Sequence, residues 1–235
     1  MDKEPVKFMQ CDPKWGKQDY STEGEKTTIC ESGCGTTSMA MAVSTLLEKM
    51  ITPAEVSDWS KKNGFKALRQ GTYYSFFGAY AKHLKLKAYR LNRANLRNAK
   101  DTAKYHKAVI EELEKGNLVI ACMGKGLWTN SGHYILLWQI KDGVAYINDP
   151  ASSKTERTRG SWERLKAEVK YYFIIENPKE MKKVKIRYKD NDLEVEGMNK
   201  NGTVYVKVRE LLMKMGFRVE WEKESKTVIV NQGDV

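Results

Sequence analysis

The chain is poor in histidine and cysteine and has no long apolar stretch. Three histidines and four cysteines stand among 235 residues. Cys30 and Cys34 lie four apart, but neither a second closely spaced cysteine pair nor a paired histidine follows. A zinc site needs such further ligands, so no metal and no cofactor are expected. Cys11, Cys30, Cys34 and Cys122 are also too few and too unevenly placed to form a disulfide framework. Cys11 and Cys122 read as small, partly buried hydrophobes. No run approaches the roughly 18 apolar residues that a spanning helix requires, and the mean hydropathy is -0.62, so no membrane span is expected. The start, Met1-Asp2-Lys3-Glu4-Pro5, lacks the apolar core of a secretory signal. The expectation is a protein made in the cytoplasm that leaves, if it leaves, by a route needing no signal.

Charge of one sign is not scarce. The formal net charge is +11, with a pI near 9.3, which favours polyanionic partners such as nucleic acid, anionic lipid or an acidic polymer. The basic residues are scattered, as in Lys61-Lys62 and Lys182-Lys183, and form no run of five. No nucleic-acid motif of recognisable spacing occurs, so no nucleic-acid partner is expected. Residues 179–235 hold 13 basic and 10 acidic residues, or +3, and the rest of the chain 28 and 20, or +8. Neither part monopolises the basicity, and nothing in the sequence marks an oligomeric state.

The most informative segment is Glu31-Ser32-Gly33-Cys34-Gly35-Thr36-Thr37-Ser38. After it Met39, Val43, Leu46, Leu47 and Met50 recur on one face of a helix that is expected to end near Met50. A helix N-terminus carries partial positive charge and unpaired N–H groups, which stabilise a thiolate. Cys34 is therefore the candidate nucleophile. Thr52-Pro53-Ala54-Glu55 starts a second helix with a capping box, and Asn63-Gly64 stops it. An aromatic-rich helix is expected from Thr72 to Leu84, with Phe76, Phe77, Tyr80 and Leu84 as core. A short strand near Lys87–Leu91 precedes a helix that carries Val109, Ile110 and Leu113 and closes at Lys115-Gly116.

From there the period shortens. Residues 118–123, 134–138, 144–147 and 171–175 are short apolar runs that read as buried strands. Helices followed by an antiparallel sheet define an α+β domain over residues 1–178. Glu176-Asn177-Pro178-Lys179 reads as a boundary, and residues 179–235 as a small ββαββ domain, with an Asn201-Gly202 hairpin signal and a helix from Val208 to Met215.

A cysteine nucleophile needs a base, a group that orients the base, and donors for an oxyanion. His83 and His106 sit in Lys-flanked helical stretches and read as surface or half-buried residues. His133 opens an apolar strand at the rim of the sheet, and serves equally as a base or as a structural histidine. Asp149, in Asn148-Asp149-Pro150, reads either as the acid that orients an imidazole or as a turn initiator, with Asn148 as the neighbouring alternative. Gln10 reads as a loop amide or as an oxyanion donor worth roughly 3 kcal/mol alongside the Cys34 N–H. Trp128, ahead of His133, is a candidate for lining a cleft.

Gln10-x-Asp12-x-x-Trp15, Ser32-Gly33-Cys34-Gly35-x-Thr37-Ser38-Met39-Ala40-Met41, Gly132-His133-Tyr134 and Asn148-Asp149-Pro150 together resemble the papain-like cysteine peptidases related to bacteriocin-leader (double-glycine) peptidases. The similarity covers about residues 5–176. It implies Cys34 as nucleophile, His133 as base, Asp149 as orienting acid and Gln10 as oxyanion donor. Thr36 departs from the pattern, since that family often has Pro there. Residues 201–228 are similar to the copper-amine-oxidase N-terminal-like domain, a module that often accompanies wall-acting bacterial enzymes. No clustered histidine is present there, so copper binding does not follow. This combination points to a phage-endolysin-type peptidoglycan hydrolase acting on the bacterial cell wall. The bond cut would be the muramoyl–alanine amide, a stem-peptide bond or a cross-bridge. A processing peptidase for a protein or bacteriocin precursor, and a catalytically silent wall-binding protein, are the alternatives.

Overall fold

A computed structural model describes residues 4–178, 182–188, 191–200, 203–206, 208–222 and 227–232. The chain divides into two compact units, Met1–Pro178 and Lys179–Val235.

The first unit begins with four helices, α1 (Ile29–Ser32), α2 (Cys34–Leu47), α3 (Pro53–Lys62) and α4 (Phe76–His83). Strand β1 (Ala88–Arg90) leads to α5 (Ala103–Glu114), then β2 (Leu118–Met123), β3 (His133–Lys141) and β4 (Val144–Asn148). Helix α6 (Thr155–Thr158), β5 (Arg159–Ser161), α7 (Trp162–Glu168) and β6 (Val169–Ile175) complete it. The strands form one antiparallel sheet in the order β1-β6-β2-β3-β4-β5.

The period-two pattern sorts side chains onto two faces. Leu118, Ile120 and Cys122 of β2 join Tyr134, Leu136 and Trp138 of β3 in a core shared with α2, α3 and α4. Val119, Ala121 and Met123 join Ile135 and Leu137 on the other face, against α5 and α7. Both faces of β2 and β3 are thus covered, which makes them the rigid centre on which a site can be held.

Local rules explain most of the boundaries. Thr52 and Glu55 form the expected capping box on α3. Helix α2 stops at Leu47, earlier than its apolar pattern suggests, because Glu48 adopts a left-handed conformation (φ 51°). Ser44 Oγ then exchanges hydrogen bonds with the Ile51 backbone, and Met50 is left 64% exposed instead of extending the buried face. Helix α4 starts at Phe76 rather than Thr72, since Tyr73 N–H donates to the Phe65 carbonyl and Thr72 bridges to Lys66. Residues 151–170, which show no clear pattern in sequence, hold α6, β5 and α7.

The break between α1 and α2 is built around Gly33. A Cβ on Gly33 would stand 2.5 Å from the Ile29 carbonyl oxygen, a backbone atom that cannot swing aside. Gly33→Ala is therefore expected to cost about 1–3 kcal/mol, to be read as a lower denaturant midpoint at unchanged slope.

The second unit comprises β7 (Lys182–Tyr188), β8 (Asn191–Lys200), β9 (Thr203–Val206), α8 (Val208–Lys214), β10 (Phe217–Glu222) and β11 (Thr227–Gln232). Strands β7, β8 and β9 form one antiparallel sheet, and β10 and β11 pair in another. Strand β8 is one more than the ββαββ pattern anticipates; Leu193 and Val195 alternate with the exposed Asp192 and Glu194, as in a half-buried strand. Residues Asn201 and Gly202 lie outside the described residues.

Candidate active site

Cys34 is the first residue of α2, with Gly33 as N-cap. The helix is buried almost all round from Gly35 to Ser44, so the thiol sits on a fixed platform and is itself partly exposed. Gly35 allows close approach, since a Cβ there would lie 3.0 Å from Thr72 Oγ1 and 3.1 Å from the Tyr134 ring. Thr36, where the resembling family often carries Pro, donates to the Gly33 carbonyl at 3.0 Å and meets Ser57 Oγ at 2.7 Å. The helix start is thereby held without proline.

His133 begins β3, paired with Met123 of β2. The β3–β4 hairpin turns through Asp142 (φ 51°) and Gly143 (φ 75°), both left-handed as a tight two-residue turn demands. The hairpin returns Asp149 to the start of β3. His133 Nε2 and Asp149 Oδ1 are 2.8 Å apart, and Asp149 is wholly buried. That leaves Nδ1 of the imidazole for Cys34, which lines the same cleft.

The electrostatics of the pair are reciprocal. Burial opposes a thiolate at Cys34, but the hydrogen bond and charge of His133, with the backbone N–H groups of Tyr134 and Gly35, more than offset it and lower the thiol pKa. Burial likewise opposes an imidazolium, yet Asp149 and Cys34 raise the His133 pKa to about 9. The shifts favour a Cys34 thiolate beside a His133 imidazolium. Cys122 provides the contrast, because burial dominates there and pushes its thiol up to about 11.

Cys34 and His133 open onto a cleft of about 700 Å³, with Thr72, Tyr73, Gly132 and Lys170 among its walls. Trp128 does not line it. It packs in the second core and donates Nε1–H to the Arg157 carbonyl at 2.9 Å. The remaining histidines stand apart. His106 is buried rather than half-exposed, with Nδ1 3.0 Å from Tyr172 Oη, and His83 is exposed.

Gln10 is buried and tied to both sides of the site. Its backbone N–H donates to the Pro150 carbonyl at 2.8 Å, and its side-chain Nε2 donates to the Cys30 carbonyl. A carboxamide has two N–H bonds, so a second one remains for an oxyanion. Asn148 is not an orienting group for the imidazole, because its amide donates to the carbonyls of Pro5 and Val6.

Two features escaped the sequence reading. Cys11 and Cys30 form a disulfide; Cys11 is exposed, not a partly buried hydrophobe, and no extra thiol stands beside Gln10. Pairing of cysteines 19 positions apart depends on the loop geometry and leaves no spacing signature. A cross-link over a loop of this size stabilises by roughly 3 kcal/mol. Cys11→Ser with Cys30→Ser is accordingly expected to lower unfolding free energy by about that amount, measured by denaturant titration. The second feature is Arg157, whose Nη2 lies 2.6 Å from Asp149 Oδ2.

Among the described residues no group of three His, Cys, Asp or Glu stands close enough to hold a metal ion. Residues 180–235 contain neither histidine nor cysteine. Also among the described residues, no helix is long and apolar enough to cross a membrane.

A thiol and an imidazole on one cleft, with a buried carboxylate bonded to the ring, are the groups that a cysteine peptidase requires. Residues 16–177 match the family described as "Peptidase_C39 like family", and the chain belongs to that family. Residues 180–235 match the copper amine oxidase N-terminal domain. No curated protein matches. Among solved structures the chain is similar to one described as a C39-like peptidase from Bacillus anthracis, at 14% identity and a TM-score of 0.42, over 74% of this chain and 98% of that chain.

Proposed function

We propose that this protein is a peptidoglycan hydrolase of the endolysin type, cutting an amide bond of the bacterial cell wall through Cys34. The chemistry rests above all on Cys34 and His133 sharing one open cleft, with Asp149 bonded to the ring at 2.8 Å. Cys34 Sγ attacks the amide carbonyl, and the oxyanion is met by the Cys34 N–H and Gln10. The His133 imidazolium then gives its proton to the leaving amine, which frees the amine and leaves an acyl-thioester. Neutral His133 takes a proton from water, whose oxygen attacks the thioester and releases acid and thiolate. Asp149 keeps the ring oriented and stabilises its charged form.

Three observations favour the wall as substrate. The acids of the cleft, Glu25 and Glu31, are engaged by Lys66 and Thr28, while Lys170 and Arg69 also line it, which suits an anionic polymer. The Cys11–Cys30 disulfide fits an enzyme that works outside the reducing cytosol. The second domain resembles a module that accompanies wall-acting enzymes. The test is digestion of purified Gram-positive walls, followed by turbidity and by mass spectrometry of the released fragments, which identifies the broken bond. Intact walls alongside cleavage of a peptide precursor would replace this reading with the processing peptidase, which the family match also accommodates.

A further inference from the structure

We propose that Arg157 is a positioning residue for the reacting line, setting through Asp149 how strongly the His133 imidazolium is held. The inference rests on the reading of Cys34, His133 and Asp149 given above.

Asp149 is a buried carboxylate with its two oxygens divided between His133 and Arg157. Oδ1 meets His133 Nε2 and accepts the Ala151 N–H at 2.8 Å. Oδ2 lies 2.6 Å from Arg157 Nη2, an ion-pair contact without hydrogen-bond alignment. The guanidinium is itself fixed. The same Nη2 donates to the Trp128 carbonyl at 2.8 Å, and Trp128 Nε1 donates back to the Arg157 carbonyl. Trp128 is buried against Gly160, where a Cβ would come within 2.8 Å of the indole. This clasp places a permanent positive charge on the face of Asp149 away from the imidazole.

Two consequences follow from charge alone. A guanidinium 2.6 Å from Oδ2 holds the carboxylate in place by charge, so the acceptor that the ring meets at Oδ1 is fixed. It also partly cancels the field that Asp149 exerts on His133, which tempers the imidazolium. Among the described residues, the titratable groups around His133 are Cys34, Asp149 and, on the same cleft, Glu25, Glu31, Arg69, Tyr73, Tyr74, Cys122, Tyr134 and Lys170, with Arg157 behind Asp149. Of these, Arg157 touches Asp149 and not the cleft.

Because the chain has three histidines, ring titration by NMR on isotope-labelled protein is direct. Arg157→Met should raise the His133 pKa by about one unit, and Arg157→Lys should leave it near the wild-type value, while His83 and His106 stay put. A group that merely braced the loop would lower activity without raising that pKa. A folded Arg157→Met protein whose His133 titrates at or below the wild-type value overturns the proposal. Should that variant not fold, Arg157→Gln supplies the neutral side chain for the same comparison. Wild-type His133 titrating at an ordinary value would instead count against the Cys34–His133 pairing itself.

Discussion

Cys34→Ala is expected to leave a folded protein that turns over substrate on the order of 10⁴-fold more slowly or worse, because loss of a nucleophile removes the covalent route and not just one contact. The fold should survive. The side chain at position 34 is partly exposed, and the burial of α2 comes from Gly35 to Ser44 and Leu46. Turbidity loss of purified walls compares the two proteins, with melting temperature as the control for folding. Equal lysis by both would end the proposed chemistry. A large loss with an unchanged melting temperature places the effect in the reaction.

His133→Ala is expected to have an effect nearly as large, and to reveal its cause. Without the imidazole, burial raises the Cys34 thiol pKa against only the backbone N–H groups of Tyr134 and Gly35. Cys122 shows where that leads, since a thiol governed by burial stands at about 11. Such a rise reduces the thiolate present at neutral pH. Iodoacetamide alkylation of Cys34 at pH 7 should slow correspondingly. Hydrolysis should fall further, because the leaving amine also loses its proton donor. The wild-type pH profile carries the same signature from the other side: with the His133 pKa raised to about 9, activity should decline as pH passes that value and the imidazolium is lost. Labelling at an undiminished rate in the variant would show that the thiol is activated by something other than the ring.

Much of this site was legible because its parts are local. The helix that begins at Cys34 shows in the glycines around it and in the apolar face behind it. The α3 capping box is written in four consecutive residues. The apolar runs of β2 and β3 announce strands covered on both faces. The pairing of His133 with Asp149 was less legible, and both positions kept a bland alternative. It depends on strand register, which the Asp142-Gly143 turn sets; that dipeptide was a readable hairpin signal that went unused. Gln10 stood out only through a family resemblance, since a loop amide has no local pattern. Helix α4 and β8 were misjudged for opposite reasons. Residues Thr72 and Tyr73 fit a helical pattern but are held by Lys66 and Phe65, while β8 alternates correctly under a heavy load of charge.

The sequence by itself determined most of the elements, the α+β class and the thiol at a helix start, because propensity, capping and periodicity act between near neighbours in the chain. Only the tertiary structure decided that Cys11 bonds to Cys30, that Trp128 lies in the core and not in the cleft, and that Arg157 stands against Asp149. Those are meetings between segments whose distance along the chain says nothing of their distance in space. They were fixed when the sheet and its loops packed, and they bear on the groups around Cys34, where burial and a neighbouring charge decide which proton is held.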